Sequence, residues 1–294
     1  MNPLQLIVDG LSTGTLYVLL ALGLSIVFSV MGLINFAYGT LMVWAAYTLY
    51  LLHLVGLPYP LCLLGMAAAT TILSLAIGRF AFLPFVGMPA ATMLLASFGL
   101  ALALEAVAVM IFGEAPRAVP TPAFLIVSLN LGVVRISVIQ LVSLVLGGIV
   151  LVGLEWMTKR THFGLEIRAA AEDAATARLM AIRPSRVVMF VFALSGSISA
   201  VVAFIWFAQI GTVTPHADFN PMLKAFIAVV LGGIGTVRGA VIGGLALGML
   251  ESLLSALLNG PLLNYQQTIA FILVIAILLI RPQGIAGKML ESSK

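Results

Sequence analysis

The sequence predicts an all-α fold: a polytopic helical membrane protein with eight or nine transmembrane segments, forming a single transmembrane domain over residues 1–294. Three observations predict it. The chain is 62% hydrophobic and 8% charged, against about 25% charged in an ordinary soluble domain. Polar side chains are therefore too few to cover a water-facing surface. Apolar runs recur at the length of a bilayer span, about 20 residues. The roughly ten-residue alternating segments of a membrane barrel are absent from the sequence.

The runs place spans near residues 12–30, 36–55, 61–79, 91–112, 136–157, 187–208, 222–235, 239–258 and 265–281. The segment 222–235 leaves the count open. It is short and ends in Gly232, Gly233 and Gly235, so it reads either as a span or as a half-helix. The start, MNPLQLIVDG, lacks a basic leader region, and the first span is expected to insert as a permanent helix. Residues 113–135 carry Pro116, Pro120 and Pro122 and read as a stiff loop outside the membrane. The single Cys62 excludes an internal disulfide and reads as a small buried hydrophobe.

Charge placement sets the expected orientation. The segment Lys159–Arg186 reads KRTHFGLEIRAAAEDAATARLMAIRPSR and holds six of the fourteen Lys and Arg residues. Positive loops stay cytoplasmic, which puts this loop and Arg79 inside and the N-terminus outside. Residues 209–221 then lie outside. The tail from Arg281, with Lys288 and Lys294, ends inside if 222–235 crosses. Arg117 and Arg135, in the external 113–135 loop, run against the bias. Basic residues are not interleaved with aromatics along a groove-like run, so nucleic-acid binding is not indicated.

The segment from Gly164 to Ile182 is Ala-rich, without an internal Pro, and predicts a helix; Arg183–Pro184 ends it. Ile167, Ala170, Ala174 and Ala177 or Arg178 fall at helical spacing on one face. Such a small-residue face can seat in a groove on a soluble partner. A solvated linker helix is the plainer reading, although linkers between helices usually run only a few residues.

Glycines four apart (Gly10 and Gly14, Gly235 and Gly239, Gly239 and Gly243, Gly244 and Gly248) suit close helix contact in lipid. They serve packing within one subunit or between two. The run LGGIGTVRGAVIGG (Leu231–Gly244) is not a phosphate-binding loop, since no Lys-Ser/Thr pair follows its last glycine. Irregular backbone at membrane depth must be buried in protein or line a cavity, so Gly232, Gly233 and Gly235 are candidates for a translocation path or for a turn near it. GLINFAYG (Gly32–Gly39) offers Asn35, Phe36, Tyr38 and Gly39 for the same role, or for a plain turn between helices.

Glu105, Glu251 and Lys224 fall within apolar segments, where ionisable groups are costly and usually functional. They are read as structural pairs, Lys224 with a Glu among them, because no chain of acids and histidines exists to relay a proton. His53, His162 and His216 fall at span edges or in loops. No metal-ligand spacing and no nucleophile with a nearby base appears, so an enzyme is not indicated.

The motifs together resemble one family: the integral-membrane permease subunits of branched-chain amino acid ABC transporters, LivH type. GLINFAYG is similar to the family's Gly-x-Ile-Asn-Phe-Ala-His-Gly element. GLEIRAAAEDAATARLMAI resembles its cytoplasmic coupling segment, with Gly164, Arg168, Ala169, Asp173, Ala177, Leu179 and Ile182 in register. LKAFIAVVLGGIGTVRGAVIGG, followed by Glu251, resembles the C-terminal glycine-rich signature, and RPQGIAG the ending. Tyr38, Ala181 and Arg238 depart from the usual His, Gly and Pro.

The resemblance implies a permease subunit in the bacterial inner membrane that forms the path for leucine, isoleucine or valine. It implies coupling to separate ATPases through Gly164, Arg168, Ala169, Glu172, Asp173, Ala177, Leu179 and Ile182. The implied path candidates are Asn35, Phe36, Tyr38, Gly39, Lys224, Gly232, Gly233, Gly235 and Glu251. The implied partners are a second homologous permease subunit, two ABC ATPase subunits that hold ATP and Mg, a periplasmic substrate-binding protein and the lipid bilayer. This chain itself is expected to bind no cofactor. Family members that carry urea or short amides, and a proton-coupled secondary transporter using Glu105 or Glu251, are the alternatives.

Overall fold

The computed structural model describes residues 3–85, 88–130, 132, 134–172, 177, 179, 180, 182–258, 260–281 and 283–285. Helix α1 (Pro3–Met31) forms the centre of the bundle. Its residues from Leu16 to Val27 are buried on every side, as expected of a helix apolar all round. Gly32, at φ +66, ends it in the left-handed conformation that glycine adopts without strain. The Asn35 side chain then accepts a hydrogen bond from the Ala37 N–H at 3.1 Å and starts α2 (Ala37–Leu54).

Helix α3 (Tyr59–Ala76) continues through a π-helical turn, Ile77–Phe82, into Leu83–Phe85. Helix α4 covers Ala90–Phe112. The proline-rich loop that follows contains β1 (Arg117–Ala118), the single turn α5 (Ala123–Ile126) and a hairpin of β2 (Ser128–Asn130) with β3 (Arg135–Ser137). Helix α6 (Val138–Arg160) opens on a reciprocal cap in which the Ser137 N–H donates to Gln140 at 2.9 Å. Helices α7 (His162–Glu172) and α8 (Pro184–Ile210) come next. Strand β4 (Thr212–Val213) pairs antiparallel with β1. Helices α9 (Phe219–Gly232), α10 (Val237–Leu257) and α11 (Gln266–Ile280) complete the described chain.

Each of the nine apolar runs is helical. Among the described residues, seven helices are long and apolar enough to cross a membrane, and α9 is a shorter apolar helix. Helix α2 is not one of the seven; it has 18 residues and lies largely buried among its neighbours. The 14 residues of α9 reach about 21 Å, less than the roughly 30 Å hydrocarbon core. Segment 222–235 is therefore a half-helix that cannot cross alone.

The chain before α9 covers the missing depth. Strand β4 is tied to β1, just beyond the end of α4. A few residues later His216 meets Glu105, inside α4, and Asp218 accepts a hydrogen bond from Thr40 in the first turn of α2 at 2.8 Å. Residues 209–221, which the sequence places outside, thus dip inward so that α9 begins inside the bundle. Backbone contact also holds this turn, with Gly39 of α2 closing directly on the Asp218 carbonyl and on Met222.

The four-apart glycines pack within this chain. A Cβ on Gly248 of α10 would strike Gly14 of α1, and one on Gly244 would strike Val18. On the other side of α10, a Cβ on Gly243 would strike the Ala228 carbonyl of α9. Helices α1, α10 and α9 therefore meet backbone to backbone.

Candidate functional site

The half-helix is held by a buried ionic cluster. Lys224 of α9 donates to the Glu251 carboxylate of α10 at 2.9 Å and to the Tyr17 hydroxyl of α1. Tyr17 donates to the same Glu251 oxygen. The Lys224 ammonium also lies 4.8 Å from the Tyr17 ring centre and 5.9 Å from that of Trp206 in α8, within cation–π range. Three charge-assisted contacts and two aromatic faces offset the desolvation of a lysine at membrane depth. The sequence pairs Lys224 with a Glu, and Glu251 is that partner.

The path candidates of the first loop are enclosed. Asn35 and Tyr38 are fully buried. Tyr38 is accommodated because its ring lies where a side chain on Gly23 of α1 would stand. Phe36 is half-buried and meets Phe98 of α4 edge-on, with ring centres 5.9 Å apart. Gly233 and Gly235, at φ +108 and +83, form the turn from α9 into α10. None of these lines the cavity at the start of α9.

That cavity, of about 290 Å³, lies between the end of α8 and the start of α9. Trp206, Ile210 and Phe219 form its apolar wall, and Thr214, His216 and Asn220 supply polar groups. His216 makes an ion pair with Glu105 through Nδ1. The sequence places His216 in an outer loop, away from the core; the inward dip of the chain brings it to Glu105 instead. Among the described residues no group of three His, Cys, Asp or Glu side chains could hold a metal ion.

At the opposite end of the bundle, α7 begins two residues earlier than the sequence predicts. Gly164 makes this docking possible, since a Cβ there would strike the Met157 and Thr158 carbonyls at the end of α6. Phe163 stacks on Phe190 of α8 with centres 4.4 Å apart, and Arg186 lies 5.3 Å over the Phe163 ring. Arg168 donates to the Thr158 carbonyl.

The small-residue face of this segment requires a correction. Ile167, Ala170 and Ala177 are buried against the chain's own bundle rather than offered to a partner. An amphipathic helix turns its apolar face to the nearest apolar surface, which here is the end of the spans. The free face carries Leu165, Arg168, Leu179 and Met180, all exposed, while Ala169 and Ile182 are half-exposed. Asp173, the Glu172 side chain and Ala174 lie outside the described residues. A second cavity, of about 300 Å³, separates α7 from the turn after α9; Ile167, Arg168 and Ala171 line one side, Gly235 and Thr236 the other.

The sequence of this chain has relatives among known proteins. The family model described as branched-chain amino acid transport system / permease component matches residues 6–278. This chain belongs to that permease family. It is 33% identical over 97% of its length to the high-affinity branched-chain amino acid transport system permease protein BraD of Pseudomonas aeruginosa, covering 96% of that protein. It is 30% identical, with the same coverage of both chains, to the corresponding LivH of Salmonella typhimurium. It is also 30% identical to a probable LivH of Methanocaldococcus jannaschii, over 92% of this chain and 89% of that one. No solved structure matches.

The permease thus has two features that motif reading missed. Tyr17 sits in an unbroken apolar run and only its fold partners show its role. His216 and Asp218 precede the half-helix, and the short length of 222–235 was the one signal that the chain re-enters there.

Proposed function

We propose that this chain is the membrane-spanning permease subunit of an ATP-driven importer for branched-chain amino acids. The observation that carries the reading is the likeness along nearly the whole chain to proteins named for that transport. A second homologous permease subunit completes the path. Two ATPase subunits, which hold ATP and Mg, dock at the basic end, and a substrate-binding protein delivers substrate at the end that carries the β2–β3 hairpin. Lys159, Arg160, Arg183 and Arg186 then face the cytoplasm, which puts the N-terminus outside and the C-terminus inside.

In this reading the exposed face of α7 receives the ATPase. Movement passes to α8 through the Phe163–Phe190 stack, and across the cavity beside Arg168 to the Gly235 turn that ends α9. The two permease subunits rock about the path between them as rigid bodies. The buried pairing of Lys224 with Glu251 leaves neither group as a free proton carrier.

Phe163→Ala is expected to preserve the bundle but to lower the substrate moved per ATP several-fold, measured as coupled uptake and phosphate release in one preparation. Equal falls in both quantities would mean lost assembly rather than lost coupling. The substrate class is tested by competition: unlabelled leucine, isoleucine and valine should each suppress labelled leucine uptake, whereas urea should not. Suppression by urea and not by valine would overturn the assignment.

A further inference from the structure

One face of α6 runs from hydrocarbon to headgroup depth. Val145, Ile149 and Val152 are exposed along it, then Trp156, then Lys159 and Arg160. Aliphatic residues suit lipid chains, whereas a tryptophan followed by basic residues marks the boundary between hydrocarbon and water. The cavity between α7 and the turn after α9 lies at that level, since Met157, Thr158 and Lys159 line it.

The lining of this cavity is divided by chemistry. Ile26, Met157, Ile167, Leu194 and Val237 are apolar, and Lys159 and Arg168 bring two cations. Arg238, exposed and next to Val237 of the lining, adds a third cation at the turn. Lys159 pairs with Glu155, and Arg168 donates to the Thr158 carbonyl. An ammonium has three donors and a guanidinium five, so the contacts among the described residues leave donors for a phosphate. A groove of about 240 Å³ between α6 and α8 adjoins the cavity, because Met157 and Leu194 line both. Val150, Leu154, Ile198 and Val201 make it aliphatic, and it opens outward at Gly153 and Ser197, both exposed. A basic pocket between spans near the membrane surface suits an anionic lipid headgroup, and the groove beside it suits a chain. A soluble anion would leave the groove empty.

We propose that an anionic phospholipid binds here, with its phosphate between Lys159 and Arg168 and one acyl chain in the groove between α6 and α8. The lipid then sits as a wedge between α7 and the Gly235 turn. The site depends on the membrane alone and not on the substrate transported.

The test titrates the delipidated full-length permease in detergent with phosphatidylglycerol or with phosphatidylcholine of the same chains, and counts bound lipid by native mass spectrometry. The first phosphatidylglycerol is expected to bind at least about tenfold more tightly than phosphatidylcholine. Lys159→Gln combined with Arg168→Gln should remove that preference while phosphatidylcholine binding stays unchanged, which shows that the protein is still folded. Arg168→Lys should keep most of the preference. Gly153→Phe places a side chain in the groove, where a Cβ meets nothing within 4 Å, and should weaken phosphatidylglycerol binding about tenfold. Equal affinity for the two lipids, or a preference that survives the double variant, overturns the site. Unchanged binding in Gly153→Phe would likewise reject the chain's place in the groove. Glycerol 3-phosphate that displaces the lipid at equal concentration would mean a site for soluble anions, and would overturn the lipid assignment.

Discussion

Lys224→Met is expected to destabilise the permease by about 3–5 kcal/mol, and Glu251→Leu by a similar amount, because each leaves one charge buried without its partner. The double variant should recover most of that loss. With both charges gone the Tyr17 hydroxyl loses these two partners, but a buried pair replaced by apolar groups of similar volume is commonly neutral. The two residues come from α9 and α10 and meet Tyr17 of α1, so the cost falls on the junction that holds the half-helix. Thermal aggregation of the detergent-purified protein measures it: wild type and double variant should aggregate at similar temperatures, and both single variants at clearly lower ones. Single variants as stable as wild type would show that the cluster does not hold the half-helix.

Gly243→Val is expected to prevent recovery of folded permease. A side chain at this position meets the Ala228 carbonyl and the Gly232 backbone, and backbone cannot swing aside as a flexible side chain can. The α9 and α10 backbones would have to separate, at a cost above about 3 kcal/mol, beyond the usual range for overpacking. Gly148→Ala in α6 is the control, since a Cβ there meets nothing within 4 Å. The check is the yield of monodisperse protein from membranes: near wild type for Gly148→Ala, and near zero for Gly243→Val. Equal yields would mean that α9 and α10 do not depend on this contact.

The positions of the helices were legible because each is a long apolar run, and a backbone in lipid must satisfy its own hydrogen bonds. The depth of each residue was not. Composition marks 222–235 as short, yet the inward dip before it depends on Gly39 meeting Asp218 and on Thr40 bonding to its carboxylate; both contacts join residues far apart in sequence. The pairing of Lys224 with a Glu could be anticipated from the cost of a lone charge in lipid. Tyr17 could not, since a tyrosine in an apolar run carries no mark of its partners. The face of α7 was misassigned for a related reason. Periodicity identifies the apolar stripe of Ile167, Ala170 and Ala177, but not whether the chain's own spans or another protein will cover it.

On the proposed function, this permease moves branched-chain amino acids only as part of an ATP-driven assembly. Vesicles containing it with its second permease subunit, its ATPase subunits and its substrate-binding protein should accumulate labelled leucine when ATP is supplied inside the compartment that the ATPases face. Omitting any one component should abolish uptake. Leucine accumulation by vesicles holding this chain alone, driven by a pH gradient and without ATP, would overturn the proposed function.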